Sequence, residues 1–314
     1  MKLAITGASG MLGTALICEL SSQHQIFATS RTKGFDKKNV IWNCFDLLNF
    51  EKLEQWLYTV RADVIIHCAA LTNVDYCEKN PKIAKMLHTQ TTEIIADYCQ
   101  RVGSKPIYIS TDSVFDGIQD TRYSEGDNIN PLNVYANTKF LGEAFILATD
   151  RGLVLRTNIV GWSMSERLSF AEWILKGLLQ KTTLTLFNDV YFSTIHVTYL
   201  ARIIEGIFQK DVVGLYHLTG NDKLSKYEFG LKVEKVFNLK SDHVVSISID
   251  NINLGAKRPK NMALSNKNIM QELSFDLPSV EQSIHLMKEQ YDNGYLSKIK
   301  GRRMQENYHF WDMV

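Results

Sequence analysis

Several features that would assign this 314-residue sequence to particular protein classes are missing. It has five cysteines, an odd number, and no C-x-x-C pair, so neither a disulfide framework nor a zinc site is expected. No stretch approaches the ~20 apolar residues that a membrane-spanning helix needs. The apolar run in residues 1–6 is too short for a signal-peptide core and leads straight into glycines. We therefore expect a cytoplasmic protein whose thiols are free and buried.

An excess of charge of one sign is also missing. The chain has 35 basic and 34 acidic residues, for a formal net charge of +1. This balance gives no electrostatic reason to expect binding to nucleic acid or to a membrane surface. The eight histidines show no H-x-x-H spacing, so no metal site is expected. The short basic stretch 298–303 is interpreted as a solvated terminus.

The first half of the chain alternates strand-like and helix-like segments. The short apolar runs 3–5, 26–29, 64–66, 107–109 and 153–155 read as strands, and leucines at helical spacing fill the segments between them. Continuous apolar strands are typical of a parallel sheet that is covered on both faces. Repeated β-α units with right-handed crossovers predict an α/β fold with a Rossmann-type, doubly wound parallel sheet.

The pattern loosens after about residue 160. Helices are predicted over 168–180, 197–208 and 226–237, and a strand over 214–218 that returns to the sheet. No linker rich in proline or serine and no repeat separates the two halves. The sequence therefore predicts an NAD(P)-binding Rossmann domain over 1–160, to which some later segments return. Residues 161–314 would mainly form a smaller mixed α/β lobe that binds the substrate.

A glycine-rich turn opens the chain, with Gly7, Gly10 and Gly13 between a strand and a helix. Glycine permits a tight turn and a close approach of the backbone to a pyrophosphate, and the helix N-terminus offers unpaired N–H groups to it. The second strand then ends at Ser30-Arg31, without the carboxylate that usually binds the ribose 2′-hydroxyl of NAD. A guanidinium suits a 2′-phosphate, so NADPH is favoured over NADH as the cofactor.

Other parts of the predicted cofactor site come from the ends of neighbouring strands. Asp46-Leu47 follows a short third strand, and the small residues at the end of the fourth strand would let the cofactor lie close to the backbone. The predicted cofactor-binding residues are Gly7, Ser9, Gly10, Met11, Leu12, Gly13, Ser30, Arg31, Asp46, Leu47, Cys68, Ala69, Ala70, Tyr135 and Lys139.

Tyr135 and Lys139 stand four residues apart on a predicted helix, and therefore on one face of it. A nearby ammonium favours the phenolate, so we expect Lys139 to lower the pKa of Tyr135 from its reference value of about 10. A Y-x-x-x-K pair alone is a weak signal. Here it is joined by the glycine turn and by Thr111, which follows a strand-like run. The combination predicts a nicotinamide-dependent enzyme.

These residues resemble the extended short-chain dehydrogenase/reductase family. The blocks that carry the resemblance are the glycine turn, residues 110–117 (STDSVFDG), residues 131–143 (PLNVYANTKFLGE) and the Arg258-Pro259 element. The last of these makes the chain most similar to the dTDP-4-dehydrorhamnose reductases and related nucleotide-sugar 4-ketoreductases. The resemblance implies reduction of the 4-keto group of a nucleotide-linked 6-deoxy sugar. Tyr135 would donate the proton, Lys139 would hold the nicotinamide ribose, and Thr111 would bind the carbonyl oxygen.

The resemblance also implies residues that contact the nucleotide-sugar substrate. They are Val74, Asp75, Ser113, Phe115, Asn158 and Arg258. The reductases of this group carry tyrosine in place of Ser113 and an aromatic residue near Asn158, so the sugar itself stays open. Half of the acid/base carboxylate pair that related dehydratases use is replaced by Ser113, which argues against dehydration.

Two alternatives to a reductase remain open. A nucleotide-sugar epimerase of the same family uses the same tyrosine and lysine. A non-catalytic, NADP-binding regulatory subunit has the same fold, although such proteins often lose a catalytic residue and this chain keeps Thr111, Tyr135 and Lys139. The family also implies a possible homodimer that is formed by the helix carrying the Tyr/Lys pair.

Overall fold

The computed structural model describes residues 1–164, 167–239, 243–274 and 276–300. Residues 301–303 of the basic stretch lie outside the described residues. The strands, in chain order, are β1 (Lys2–Thr6), β2 (Gln25–Ser30), β3 (Val40–Cys44), β4 (Val64–His67), β5 (Lys105–Thr111), β6 (Leu153–Thr157), β7 (Ile159–Val160), β8 (Leu184–Phe187), β9 (Tyr191–Phe192), β10 (Ile195–His196), β11 (Gly214–His217), β12 (Leu224–Ser225), β13 (Val244–Ile247) and β14 (Asn261–Met262).

Helices flank these strands. A π-helical turn, Met86–Gln90, lies between two of the α-helices, the fourth and the fifth. The α-helices are α1 (Met11–Leu20), α2 (Phe50–Val60), α3 (Val74–Lys79), α4 (Pro81–Lys85), α5 (Thr91–Val102), α6 (Val134–Leu147), α7 (Phe170–Leu179), α8 (Val197–Gln209), α9 (Lys226–Val236), α10 (Lys267–Leu273), α11 (Val280–Asp292) and α12 (Tyr295–Lys300).

Seven parallel strands form the central sheet in the order β11-β6-β5-β4-β1-β2-β3. The chain runs outward from β1 in one direction to β3 and then returns to continue through β4 in the other. The order therefore reverses between β1 and β4, and ligands of doubly wound folds bind at this reversal, outside the carboxyl ends of the strands. The predicted Rossmann-type α/β fold is confirmed.

The central strands are short apolar runs because both faces of the sheet are covered. All four residues of β4 are buried. Helices α1 and α8 pack on one face of the sheet, in a core that includes Leu16 and Ile204. Helices α2 and α5 cover the other face around Leu53 and Ile95. This packing fixes the carboxyl edge of the sheet, where the predicted site residues lie.

The second half of the chain builds a separate core and also contributes to the sheet. β11 pairs with β6, and α8 packs against α1, so both segments belong to the sheet layer. Helices α7, α9 and α11 enclose a second core with β8 and β9. A small three-stranded sheet, β12-β9-β14, belongs to this part of the chain.

The cysteines do not all follow the prediction of buried thiols. Cys77 and Cys99 are buried, but Cys44 is exposed and Cys18 and Cys68 are half-buried. Cys44 is exposed because β3 is the edge strand of the sheet and most of its residues face outward. In the described part of the chain, no helix combines the length and the apolar character that crossing a bilayer requires.

Candidate functional site

The glycine turn lies where the strand order of the sheet reverses. Gly7 has φ +64°, and a Cβ there would come within 2.7 Å of the Ala69 backbone at the end of β4. A Cβ on Gly13 would lie 2.5 Å from the Gly7 carbonyl oxygen. Gly7 therefore permits the turn and its close approach to β4, whereas Gly13 lets α1 pack closely against the turn.

The first turn of α1 is arranged to receive an anion. Gly10 is the N-cap and supplies no side chain to cap the helix, and the first turn holds no acidic residue. The N–H groups of Met11, Leu12 and Gly13 precede the first hydrogen bond of the helix, from Thr14 to the Gly10 carbonyl. Free N–H groups at the positive end of a helix dipole fit a pyrophosphate. Because Leu12 is buried, it would serve through its backbone alone.

Four of the predicted cofactor-binding residues lie along the ends of β2 and β3. Ser30 is buried, and its hydroxyl donates to the Thr32 carbonyl. Arg31 is exposed and forms no ion pair with another described residue. Asp46 is exposed, and its side chain accepts from the Leu48 N–H, while Leu47 is buried. At the end of β2, an exposed guanidinium such as that of Arg31 suits a 2′-phosphate.

Helix α6 brings Tyr135 to the carboxyl end of β5. Asn133 caps the helix by accepting from the Ala136 N–H, which places Tyr135 in the first turn. Thr111, the last residue of β5, lies next to the phenol, and its hydrogen bond lowers the pKa of Tyr135. The structure therefore brings together the predicted acid and the predicted carbonyl-binding hydroxyl.

The expected effect of Lys139 on Tyr135 is wrong for this structure. Burial raises the pKa of Tyr135 to about 12, although the hydrogen bond from Thr111 opposes the rise. The Lys139 Nζ instead donates to the Ile109 carbonyl at 2.6 Å and lies 3.9 Å from the Tyr108 ring centre. Burial lowers the pKa of Lys139 to about 7, so the charge that would favour a phenolate is weakened. Tyr135 is thus a protonated acid at neutral pH.

His88 ties the end of β4 to α6 and was not predicted to be part of the site. It lies in the π-helical turn, and its Nε2 accepts from the Leu71 N–H at 2.8 Å. Nδ1 therefore carries the proton and donates to the Thr138 hydroxyl at 2.8 Å. Its ring also packs edge-on against Tyr135. Burial lowers the pKa of His88 to about 2, so its imidazole is neutral and holds the end of β4 and helix α6 in position.

A buried ion pair lies beneath the predicted catalytic residues. Glu143, one helical turn after Lys139, accepts from the Nε and Nη2 of Arg156, with the shorter contact at 2.6 Å. Both side chains are almost fully buried, at 1% and 3% exposure. The Ser110 hydroxyl also donates to Glu143. The pair joins α6 to β5 and β6, and so fixes the distance between the helix and the strand ends.

Asp112 connects Thr111 to two of the residues that were predicted to bind the substrate. It is buried, and its carboxylate accepts from the Asn158 amide at 2.7 Å and from the hydroxyls of Thr111 and Ser113. Burial raises the pKa of Asp112, against the effect of these hydrogen bonds and of the Lys226 charge. Two predicted substrate residues, Ser113 and Asn158, are thereby brought next to Thr111.

The other predicted substrate residues fall into two groups. Asp75 and Arg258 form an ion pair at 3.0 Å, which joins α3, the helix that Val74 begins, to the segment before β14. The prediction that Phe115 contacts the substrate is wrong. Phe115 is fully buried and stacks on Tyr123, with 4.2 Å between the ring centres. A side chain without exposed surface cannot contact a substrate, so Phe115 supports the site from the core.

The family model described as RmlD substrate binding domain matches residues 1–293. The chain belongs to this family. The chain is 31% identical over 274 residues to methionine adenosyltransferase 2 subunit beta of Rattus norvegicus, over 84% of this chain and 80% of the relative. It is 27% identical to dTDP-4-dehydrorhamnose reductase of Escherichia coli K12, over 91% and 97% of the two chains.

Solved structures of the RmlD family have the same fold. The dTDP-4-dehydrorhamnose reductase of Bacillus anthracis, solved in complex with NADP, superposes with a TM-score of 0.81 at 26% identity. The superposition covers 92% of this chain and 99% of the bacterial one. The resemblance to the extended short-chain dehydrogenase/reductase family, and within it to the 4-ketoreductases, is therefore confirmed.

Proposed function

We propose that this protein is an NADPH-dependent reductase of the 4-keto group of a nucleotide-linked 6-deoxy sugar. The observation that carries the proposal is the meeting of Thr111 and protonated Tyr135 at the strand ends beside the Gly7 turn. The predicted reductase activity and the prediction of NADP as cofactor agree with the relatives from E. coli and B. anthracis. The assignment of individual site residues is part of the proposal.

Each of the three site residues has one role in the reaction. When bound, NADPH would supply the hydride that reduces the carbonyl carbon, and every other role falls to residues of this chain. Tyr135 gives its phenolic proton to the oxygen as negative charge develops there. The Thr111 hydroxyl, which donates to Asp112 in this structure, would turn its proton to the same oxygen and so stabilise charge where it appears in the transition state. Lys139, held against β5 by the Ile109 carbonyl, fixes the nicotinamide ribose.

The test is NADPH oxidation, followed at 340 nm, against a panel of nucleotide-linked 4-keto-6-deoxy sugars. NADH is assayed in parallel. We expect turnover with at least one sugar and a clear preference for NADPH. Tight NADPH binding without oxidation by any sugar of the panel would contradict the reductase. Conversion of a nucleotide sugar to its epimer, without net oxidation of NADPH, would instead identify an epimerase.

A regulatory subunit is the second candidate, because the relative from Rattus norvegicus is named as a subunit of another enzyme. Against it stands the assembled site, since a purely regulatory protein has no need of an acid, a carbonyl-binding hydroxyl and a lysine in one place. Pull-down with a methionine adenosyltransferase catalytic subunit, combined with the turnover panel, separates the two candidates. Binding without turnover supports the regulatory function.

Arg31 is expected to select NADPH over NADH. Arg31→Ala removes the guanidinium at the end of β2, so we expect the Kd for NADPH to rise about tenfold, as for loss of a charge-assisted hydrogen bond. The Kd for NADH should stay the same, because NADH carries no 2′-phosphate. Fluorescence titration of both cofactors measures the two values. The matched control is Arg101→Ala, an exposed arginine on α5. Equal effects on NADPH and NADH would contradict the assignment.

We assign substrate binding mainly to residues 161–314 and cofactor binding mainly to residues 1–160. Support for this division comes from Met262, whose sulfur lies 3.7 Å from the Ser113 hydroxyl. The charge of Lys226, from the second half, also lowers the pKa of Asp112. The sugar would then lie between the strand ends and the small sheet β12-β9-β14.

A homodimer through α6 is a further part of the proposal. The outer side of this helix presents apolar and small residues to solvent, with Leu141 39% and Leu147 41% exposed. Exposed apolar stripes on a helix are typical of helix-helix interfaces. We expect sedimentation velocity to show a dimer, and Leu141→Glu to shift it to monomer. Ile118→Glu, at an exposed position outside α6, is the control. A monomeric wild-type protein at micromolar concentration would contradict the dimer.

A further inference from the structure

Lys226 comes from the second half of the chain and places an amine beside the catalytic strand end. Its Nζ lies 3.5 Å from the centre of the Phe192 ring and 4.6 Å from that of Phe170. Burial lowers the pKa of Lys226 to about 8, and the Asp112 carboxylate opposes this shift. The amine is therefore held on two aromatic faces, within electrostatic reach of the residue that organises Thr111 and Ser113.

The backbone around Lys226 fixes its position. β12 pairs with β9, with Ser225 opposite Tyr191, and the Lys226 N–H donates to the Val190 carbonyl at 3.0 Å. Ser225 caps α9 in a capping box with Glu228, so Lys226 is the first helical residue. β14 pairs with β9 from the other side and presents Met262 to the Ser113 hydroxyl. The small sheet thus faces the end of β5 and holds Lys226 there.

Asp112 and Lys226 differ in how many of their hydrogen-bonding positions are already used within the protein. The carboxylate of Asp112 already accepts three hydrogen bonds, from Thr111, Ser113 and Asn158. An ammonium has three donors, and that of Lys226 makes no hydrogen bond to another residue in the described ranges. Lys226 therefore presents unused donors to whatever lies between it and Asp112.

We propose that Lys226 determines the sugar specificity of the reductase by donating a hydrogen bond to a hydroxyl oxygen on the sugar carbon next to the carbonyl. The inference rests on the proposed function, because Thr111 and Tyr135 define where the carbonyl lies. The substrate class is then a nucleotide-linked keto sugar with a free hydroxyl at the neighbouring carbon. A sugar with an amino group there would be rejected, since its ammonium would meet the ammonium of Lys226.

The test compares Lys226→Met and Lys226→Arg in the NADP-loaded protein. Calorimetry gives the Kd of a dTDP-linked 6-deoxy sugar and of its counterpart with an amino group in place of the hydroxyl next to C4. For Lys226→Met we expect the Kd of the hydroxyl sugar to rise about 10- to 100-fold, as for loss of a hydrogen bond to a charged group. The preference for hydroxyl over amino should disappear. Lys226→Arg should keep most of the affinity for the hydroxyl sugar and most of the preference for it over the amino sugar.

Controls separate this inference from the proposed reductase. Methionine fills the apolar surface of the Phe170 and Phe192 rings, and the Kd for NADPH and the thermal midpoint should match those of the wild type. Lys232→Met, on the same helix but paired with Glu281, should bind both sugars normally. An unchanged Kd in Lys226→Met, or wild-type protein that binds neither sugar, would overturn the Lys226 assignment. Sugar binding that depends on Lys226 without NADPH oxidation would overturn the reductase alone.

Discussion

Tyr135→Phe should abolish most reduction and leave NADPH binding intact. The variant loses the phenolic proton but keeps the ring, which packs against His88. Because general acid catalysis contributes about 10²- to 10⁴-fold, we expect kcat to fall by that factor. The Kd for NADPH should stay within about twofold, since the lost hydroxyl acts on the sugar oxygen in the transition state. Steady-state kinetics and fluorescence titration measure the two quantities.

The matched control for this substitution is Tyr58→Phe. Tyr58 is a half-exposed tyrosine on α2, far from the carboxyl ends of the strands, and its ring contacts Tyr98. Removal of its hydroxyl should change neither kcat nor cofactor affinity. A Tyr135→Phe protein that turns over like the wild type would refute the role of Tyr135 as the acid.

Glu143→Ala should destabilise the whole protein by about 3–5 kcal/mol. The substitution leaves the Arg156 guanidinium buried without its carboxylate, and an uncompensated buried charge carries a cost of this size. Because Glu143 lies one turn after Lys139 and joins α6 to β6, folded molecules should also show a loosened site. Urea denaturation gives the free energy of unfolding, and NADPH affinity reports on the site.

A double substitution tests whether charge is the cause. Glu143→Met with Arg156→Met removes both charges and keeps the volume apolar, and such replacements are often neutral or stabilising. We expect the double variant to recover most of the stability that Glu143→Ala loses. If Glu143→Ala stays within 1 kcal/mol of the wild type, the pair has no structural role beneath the site.

The parts of the fold that the sequence predicted are those with local signals. The Gly7 turn, the buried strand β4 and the helix with Tyr135 and Lys139 are each encoded within a few neighbouring residues. The alternation of such elements determines a doubly wound sheet, because parallel strands need crossovers of one hand. The carboxyl ends of those strands then collect Thr111, Ser113 and Asn158 at one edge.

The parts that were missed depend on contacts between distant residues. His88 and Thr138 are 50 residues apart in the chain, and Ser113 and Met262 are 149 apart. Nothing near Lys226 in the sequence indicates that β12 and β9 direct it toward Asp112. The raised pKa of Tyr135 was missed for the same reason, because desolvation depends on the packing around the phenol. Phe115 was misassigned because a motif position does not reveal which way the side chain points.

The central claim is hydride transfer from NADPH to the C4 carbon of a nucleotide-linked sugar. Its most direct test uses NADPH that carries deuterium at the reactive position of the nicotinamide, incubated with the protein and 4-keto-6-deoxy sugar nucleotides. Mass spectrometry and proton NMR then locate the label. We predict one deuterium at C4 of the reduced sugar, and about a hundredth of that product or less when Tyr135→Phe replaces the wild type over the same short time. Bound NADPH that transfers no deuterium to any of these sugars would contradict the account.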